Sequence, residues 1–438
     1  MLTQAAPDRL TPQPVSAAEF SSLLGRLGPF GRRPCLGLAV SGGADSLALA
    51  MLAQEWAQAE GGQTQAFIVD HGLRSEARTE AEGAATTLQS LGISARILPL
   101  CDLAPGPGIS DRARAARYHA LAEACRAAGI IHLLLGHHAA DQAETLLMRA
   151  LRGSGDAGLA GMAAVTETDG LRLVRPLLTM PSGRLRATLR AAGLPWAEDP
   201  TNADPHYMRA RLRGLRADAA GTGPATRALT DAATDYGHRR ALADRVAATF
   251  LARHAAIRPE GFLRIASDGP WPAEALSGAT RMVTGAAYPP DLAVISRIAA
   301  DPAGQIGRGL VFGGARLVPA GRLGAGFVLC REEVAMAAPV PASPGNLWDG
   351  RFRLPRDESG WPQTQIAALG DDATRFRRVS DLPAAVLRTL GCFRDAATGR
   401  LLSVPALSWA AEGETSGRRL IFSPAVAAAG APFGVVDG

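Results

Sequence analysis

One hexapeptide constrains this chain more than any other: Ser41-Gly42-Gly43-Ala44-Asp45-Ser46 lies between the apolar residues 36–40 and a helix-like run at 48–52. Two adjacent glycines let the backbone turn tightly and bring N–H groups close to an anion, and a following helix aims the positive end of its dipole at the same point. Ser41 and Ser46 add hydroxyl donors. Asp45 is an odd neighbour for a phosphate and makes sense where a divalent cation such as Mg²⁺ sits between them. A nucleotide-phosphate site is therefore expected at these six residues. The loop is not the Walker pattern, which needs a longer glycine loop ending in Gly-Lys-Ser/Thr. An ordinary Ser/Gly turn also joins strands to helices, but the order strand, loop, helix favours the phosphate.

Apolar runs at residues 36–40, 66–69, 95–98 and 130–135 recur about every 30 residues, each followed by a polar loop and a stretch with helical spacing. This is the rhythm of βα units. Continuous rather than alternating apolar strands predict an α/β fold, a doubly wound parallel sheet with helices on both faces and ligands at the carboxyl ends of the strands. The hexapeptide, Asp70-His71-Gly72-Leu73-Arg74 and Gly136-His137-His138 all fall just after such strands. Three motifs are thus expected on one edge of one sheet.

At 438 residues the chain is long for one core. A catalytic domain is expected over 1–214. Residues 224–258, rich in alanine and charge, have helical spacing, and β-like stretches at 309–318 and 325–331 complete a helical or mixed middle domain, 215–336. Pro339, Pro341, Pro344 and Gly345 mark a linker at 337–347. Residues 348–438, with Phe352, Val379, Leu402 and Val404 in short β-like runs, predict a small α+β C-terminal domain.

Composition narrows the function. Hydrophobic residues make up 47%, yet no run approaches the ~18 apolar residues of a membrane span and no basic-then-apolar leader opens the sequence, so a cytoplasmic protein is expected. Five cysteines, Cys35, Cys101, Cys125, Cys330 and Cys392, are scattered and never spaced C-x-x-C. That argues against a disulfide framework, a zinc site or an iron–sulfur site. All 46 basic residues are arginine, which excludes a catalytic lysine. Nine of them fall between Arg172 and Arg216, where the acids after Gly170 are only Glu198, Asp199 and Asp204. Nucleic acid is a plausible partner for such a stretch, and a solvated basic face would look the same.

Several further residues carry chemistry. Asp70 can hold a ribose hydroxyl or an adenine edge, or simply cap a turn, and His71 can contact phosphate. Arg114 and Arg117, three apart on a helix before the fourth strand, suit a phosphate or carboxylate. In Gly136-His137-His138-Ala139-Ala140-Asp141-Gln142-Ala143-Glu144-Thr145, Asp141 and Glu144 share a helical face and can present carboxylates to a cation, either Mg²⁺ or an amine. One of the two histidines is expected on the nucleotide and the other packed. Arg149, Arg152-Gly153-Ser154-Gly155 and 158–162 predict a basic, flexible loop. A helix is expected after Asn202, with Arg209 and Arg213 on one face toward RNA phosphate or base.

Taken together, SGGADS, DHGLR, AR-x-x-RY, HH-x-x-DQAET, RG-x-G-x-x-GL-x-GM and EDPTN followed by arginines resemble, in that order, the bacterial tRNA(Ile)-lysidine synthetase family. The phosphate loop is shared by many PP-loop ATP pyrophosphatases; HH-x-x-DQAET with EDPTN is far more specific. The match is close over about residues 36–213 and loose beyond, through 349–352 and 401–405. Ala140, where relatives often carry an acid or amide, and Ala210, within the usual R-N-x-x-R tail, depart from the pattern.

The resemblance implies a two-step ligation. The C2 carbonyl oxygen of the wobble cytidine of the CAU-anticodon isoleucine tRNA attacks ATP, releasing pyrophosphate, and the ε-amine of free L-lysine then displaces AMP. It implies ATP and Mg²⁺ as cofactors, Asp45 and Asp141 at the metal, Asp141 and Glu144 toward metal or lysine, and Arg114, Arg117 and Arg209 toward the base and its phosphates. Ser41, Gly42, Gly43, Ala44, Asp45, Ser46, Asp70, His71, Gly136 and His137 line the nucleotide. A homodimer through the middle region is a further expectation. Other readings share parts of the pattern: a tRNA 2-thiolase, an amide-forming pyrophosphatase, or a non-catalytic RNA-binding protein.

Overall fold

A computed structural model describes residues 12–70, 72, 77–100, 106, 108–168, 170–198, 208–216, 218–307, 309–357, 361–415 and 417–429. The chain divides into two compact units, the first reaching residue 241 and the second beginning at 242.

The first unit opens with α1 (Ala17–Gly25), capped by the Ser16 hydroxyl, which accepts from the Glu19 N–H. It continues through β1 (Cys35–Val40), α2 (Ala44–Ala59), β2 (Gln63–Asp70), α3 (Ala77–Ser90), β3 (Ser94–Pro99), α4 (Ile109–Ala127), β4 (His132–Leu135), α5 (Ala139–Leu151), α6 (Asp156–Leu159), β5 (Val165–Thr168), β6 (Leu171–Val174), α7 (Ser182–Ala191), α8 (Met208–Arg216) and the part of α9 (Pro224–His254) up to residue 241. The four apolar runs become β1 to β4. The sheet order is β3-β2-β1-β4-β6-β5. All pairs are parallel except β5 with β6. That edge hairpin is one addition to the expected parallel sheet.

Alternation along the strands explains why both faces are covered. Leu36, Leu38 and Val40 of β1, with Ala66, Ile68, Leu134 and Val174, join one core with Leu47 and Leu49 of α2 and Leu185 and Leu189 of α7. The intervening Ala39, with Phe67, Leu98, Leu133 and Leu135, joins a second core with Leu121, Ala124 and Cys125 of α4. Successive side chains point to opposite faces, so a strand apolar at every position requires helices on both. Strand order reverses at β1, with β2 and β3 to one side and β4 and β6 to the other. In such sheets the crevice for ligands opens at that point.

The expected flexible loop after α5 is pinned. Arg149 Nη1 donates to the carbonyls of Gly158 at 2.7 Å and Gly161 at 2.6 Å, and Gln142 exchanges two hydrogen bonds with the Met162 backbone.

In the second unit, antiparallel strands Phe262–Ile265, Ala315–Pro319 and Phe327–Arg331 pack with helices Ala273–Thr284 and Leu292–Ala300 around Leu263, Met282, Ile298 and Leu329. Strands Thr364–Ala368, Gly391–Asp395 and Leu401–Val404 form a further sheet. Phe352, Leu402 and Val404 lie in strands, as their patterns predict. Val379 does not: it is 81% exposed in a turn closed by its N–H on the Phe376 carbonyl. Segment 349–352 carries a buried ionic cluster. Arg351, fully buried, donates to Asp349 Oδ2 at 2.8 Å and to the Gly261 carbonyl at 3.2 Å, while Arg331 and the Ala337 N–H also reach Asp349. Burial pulls the Arg351 guanidinium down to about 10, against the pull of Asp349.

Candidate active site

The phosphate loop is braced from within. Gly42 has φ +84°, a conformation side chains resist, and Gly43 caps α2 in an extended conformation without a side chain to obstruct the N–H groups. Ser46 Oγ donates to the Gly43 carbonyl at 3.0 Å and accepts from the Ser41 N–H at 3.1 Å, so this buried hydroxyl closes the loop, whereas Ser41 is exposed. Ala44 is buried at the start of α2. The Ala197 N–H donates to the Gly42 carbonyl at 3.0 Å, bringing the chain before residues 199–202 alongside the loop.

Gly136, just after β4, lies directly against the first turn of α2. A Cβ there would sit 3.0 Å from Ser46 Cα and 3.1 Å from the Asp45 carbonyl oxygen. Any side chain would push the two segments apart. Because none is present, the α5 N-terminus approaches the loop, and two carboxylates meet a histidine. His138 Nε2 lies 3.4 Å from Asp45 Oδ2 and 3.5 Å from Asp141 Oδ2, and the His138 N–H donates to Asp141 at 3.1 Å. Burial opposes charge on His138, but Asp141 and Asp45 outweigh it and hold the imidazole up at about 9. Burial likewise opposes charge on Asp141, and His138, His137 and the backbone N–H carry its carboxyl below the usual range.

Asp45 Oδ1 is buried with no hydrogen-bond partner among the described residues. An orphaned carboxylate oxygen beside a second carboxylate, at a loop shaped for phosphate, fits Mg²⁺, which usually takes one or two carboxylates and completes its shell with phosphate oxygens and water. Among the described residues no group of three or more His, Cys, Asp or Glu side chains is arranged to hold a metal ion by itself, so phosphate would have to supply the rest.

Glu144, expected beside Asp141, is engaged elsewhere. It is fully buried, and its Oε1 accepts from Arg213 Nε at 2.9 Å and Arg216 Nη2 at 2.8 Å, with Arg213 Nη2 3.3 Å from Oε2. The pairing fastens α8 to α5. Burial works against the Arg213 charge, but Glu144 holds that guanidinium above its ordinary value. From the same helix, Arg209 acts electrostatically on His137 and Asp141. Arg114 is exposed on α4 and also acts on His137; Arg117 is half-buried, and burial together with Arg114 lowers it. His137 is held well below its ordinary value by burial and by Arg175, Arg114 and Arg209, despite Asp141. It is therefore neutral.

Asp70 ends β2 and caps a turn, its Oδ1 accepting from the Gly72 N–H at 3.0 Å. His71 lies outside the described residues, as do Asn202 and Tyr207. The structure thus gathers the loop, Gly136, Asp45, Asp141, His137, Arg114 and Arg209 at one sheet edge, and gives Glu144 two arginine partners. The sequence pattern places Arg213 with Arg209 toward RNA, whereas the structure pairs it with Glu144, and the pattern assigns no role to Arg216 or Arg175. The spacing 209, 213, 216 on one helical face was the available signal for the arginines.

Such a loop at the β1 end of a doubly wound sheet defines a PP-loop nucleotide-binding domain, and the profile of the PP-loop domain matches residues 14–216. The chain is 49% identical over 218 residues to the tRNA(Ile)-lysidine synthase of a Bradyrhizobium species, and 46% identical over 218 residues to that of Bradyrhizobium diazoefficiens. Each alignment covers 49% of this chain and 60% of the relative. With the tRNA(Ile)-lysidine synthase of Ruegeria pomeroyi it shares 35% identity over 333 residues, 73% of this chain and 76% of that one. The chain belongs to the tRNA(Ile)-lysidine synthase family. It spans about 60% of the length of the two Bradyrhizobium relatives.

Proposed function

We propose that this protein uses ATP to adenylate the C2 oxygen of the wobble cytidine in CAU-anticodon isoleucine tRNA, and then joins free L-lysine at C2 to give lysidine. The observation that carries this reading is the pairing of an orphaned Asp45 oxygen with Asp141 at a phosphate loop, in a chain of this family. A carbonyl oxygen leaves poorly until it is adenylated, and the resulting charge must be neutralised at the phosphates. The loop N–H groups and Ser41 bind the leaving pyrophosphate, and Asp45 and Asp141 hold Mg²⁺. When bound, Mg²⁺ supplies charge neutralisation on the phosphate oxygens.

His138 aligns both carboxylates, 3.4 Å from Asp45 and 3.5 Å from Asp141, and lowers the Asp141 carboxyl. Neutral His137 offers a ring nitrogen as hydrogen-bond acceptor beside Asp141, suited to an incoming amine. Arg114, Arg117 and Arg209 take RNA phosphates or the activated base, and Asp70 takes the nucleoside end of ATP. Glu144 acts by positioning α8 through Arg213 and Arg216. Of the described thiols of the first unit, Cys35 begins β1, at the strand end away from the loop, and burial pushes Cys125 up to about 12; Cys101 lies outside the described residues. Among the described residues no helix is long and apolar enough to cross a membrane, and we place the reaction in the cytoplasm. A homodimer is part of the proposal, and light scattering at micromolar concentration that returned 45.4 kDa would refute it.

The direct test is nucleoside mass analysis of CAU-anticodon isoleucine tRNA after incubation with ATP and isotopically labelled lysine. The proposal expects cytidine to gain labelled lysine with one pyrophosphate released. Pyrophosphate release without lysine incorporation would point to another nucleophile, and no release with any tRNA would point to a binding protein.

A further inference from the structure

Three guanidiniums gather near Tyr118 of α4, beside β6 at the sheet edge. Arg175 directly follows β6 and is buried, 7% exposed. Its Nη1 donates to the Ala163 carbonyl at 2.8 Å and to Thr166 Oγ1 at 3.0 Å, and Tyr118 hydrogen-bonds the same guanidinium. The Arg114 guanidinium lies 5.1 Å over the Tyr118 ring, and Arg117, half-buried on the same helix, is acted on by both Tyr118 and Arg114. Burial lowers the Arg117 and Arg175 guanidiniums, Tyr118 opposes it, and Arg114 adds to it in each case. The site therefore holds its cations where positive charge is penalised.

The ligation proposed above makes an electrophile beside these cations. Once its C2 oxygen carries AMP, the cytidine is open to any deprotonated primary amine within reach: the C2–N bond forms, the C2–O bond breaks, AMP leaves with the oxygen, and the attacking nitrogen sheds a proton. An ammonium at such a position would become that amine, since lysine starts near about 10.4 and burial can lower it by about 3–5, into the physiological range. A guanidinium starts above about 12 and keeps its charge and its protons there. All 46 basic residues of the sequence are arginine, so residue type alone says nothing on an exposed helix face; at this edge it decides what is able to attack. We propose that arginine at 114, 117 and 175 is a specificity device: it supplies positive charge for RNA phosphate or nucleotide without offering an amine that would capture the activated cytidine, and so leaves the free amino acid to end the reaction. The proposal rests on the ligation reading.

The test supplies the amine. Arg114→Lys and Arg117→Lys exchange the cation in place, and Ala113→Lys, four residues before Arg117 on one face of α4, adds an amine with every arginine kept. Each full-length protein is incubated with ATP, Mg²⁺ and end-labelled CAU-anticodon isoleucine tRNA without free lysine. Protein-linked tRNA is read on denaturing gels and its attachment point by mass spectrometry. Because a tethered amine reacts at high effective concentration, adduct at the introduced lysine is expected at least about 100-fold above wild type in one or more of the three, and added free lysine is expected to suppress it. Arg126→Lys, in the last turn of α4 and exposed, is expected to match wild type. Adduct in wild type as strong as in the variants, or none from variants that release pyrophosphate, would overturn the proposal and leave the arginines as a matter of composition. Ala113→Lys decides should both exchanges stop pyrophosphate release. No pyrophosphate from wild type with this tRNA would refute the ligation reading itself, a distinct result of the same experiment, and the proposal would fall with it.

Discussion

Two regions of this protein hold carboxylate oxygens out of solvent, and they differ in how completely those oxygens are matched. Asp349, in the second unit, accepts from Arg351, Arg331 and the Ala337 N–H. Asp45 and Asp141, at the phosphate loop, share one histidine at 3.4–3.5 Å, and one Asp45 oxygen has no partner among the described residues. Buried polar groups are almost always satisfied, because an unmatched one loses its hydration without compensation. A matched cluster therefore reads as a structural fastening, and an unmatched one as a place for a ligand. Glu144 shows that the distinction cuts within one motif: it lies one turn from Asp141, yet belongs with the matched class.

The comparison can be broken first at the matched cluster. Arg351→Ala leaves Asp349 buried beside a lost partner, and should lower unfolding free energy by about 3–5 kcal/mol in urea titration; a loss under about 1 kcal/mol would remove the fastening reading. Asp141→Asn should do the reverse. It should reduce kcat/KM for pyrophosphate release about 1000-fold, several kcal/mol of charge stabilisation, with the fold retained by circular dichroism.

A third test uses pH. Because the folded-state value for His138 is raised to about 9 from 6.5, its stabilisation is complete below pH 6.5 and disappears as pH rises through 9. Stability in Mg²⁺-free buffer should therefore fall by about 3 kcal/mol over that window. His138→Gln should flatten this slope; an unchanged slope would assign it to other groups. The smallest effect is expected at Gly136→Ala, whose added methyl meets the backbone of residues 45 and 46. Displacing the loop by a few tenths of an ångström to about 1 Å should cost up to about 100-fold in kcat/KM, with the fold retained by circular dichroism.

Much of the first unit is legible in the sequence because buried parallel strands are apolar at every position, and 36–40, 66–69 and 130–135 are such runs. The β5–β6 hairpin was not, since Glu167 and Thr168 on an exposed edge carry no such run. The loop, Asp45 and Asp141 were legible because their chemistry is local: a turn, a helix N-terminus, one carboxylate per helical turn. The fate of Glu144 was not, because its partners lie 69 and 72 residues away and only the docking of α8 joins them. His137 and His138 are the same residue type side by side. Which of them faces the carboxylates depends on the extended conformation of His138 at the α5 N-terminus, and no pattern in the sequence encodes it.

The central claim is that the unmatched Asp45 oxygen is a metal ligand for bound nucleotide. Calorimetric titration of ATP into wild type and Asp45→Asn, each with Mg²⁺ and with chelator, tests it most directly. The account predicts that Mg²⁺ strengthens ATP binding to wild type, that Asp45→Asn abolishes this dependence, and that the two proteins have the same circular dichroism without ligand. Mg²⁺-dependent binding of equal strength in Asp45→Asn would contradict it.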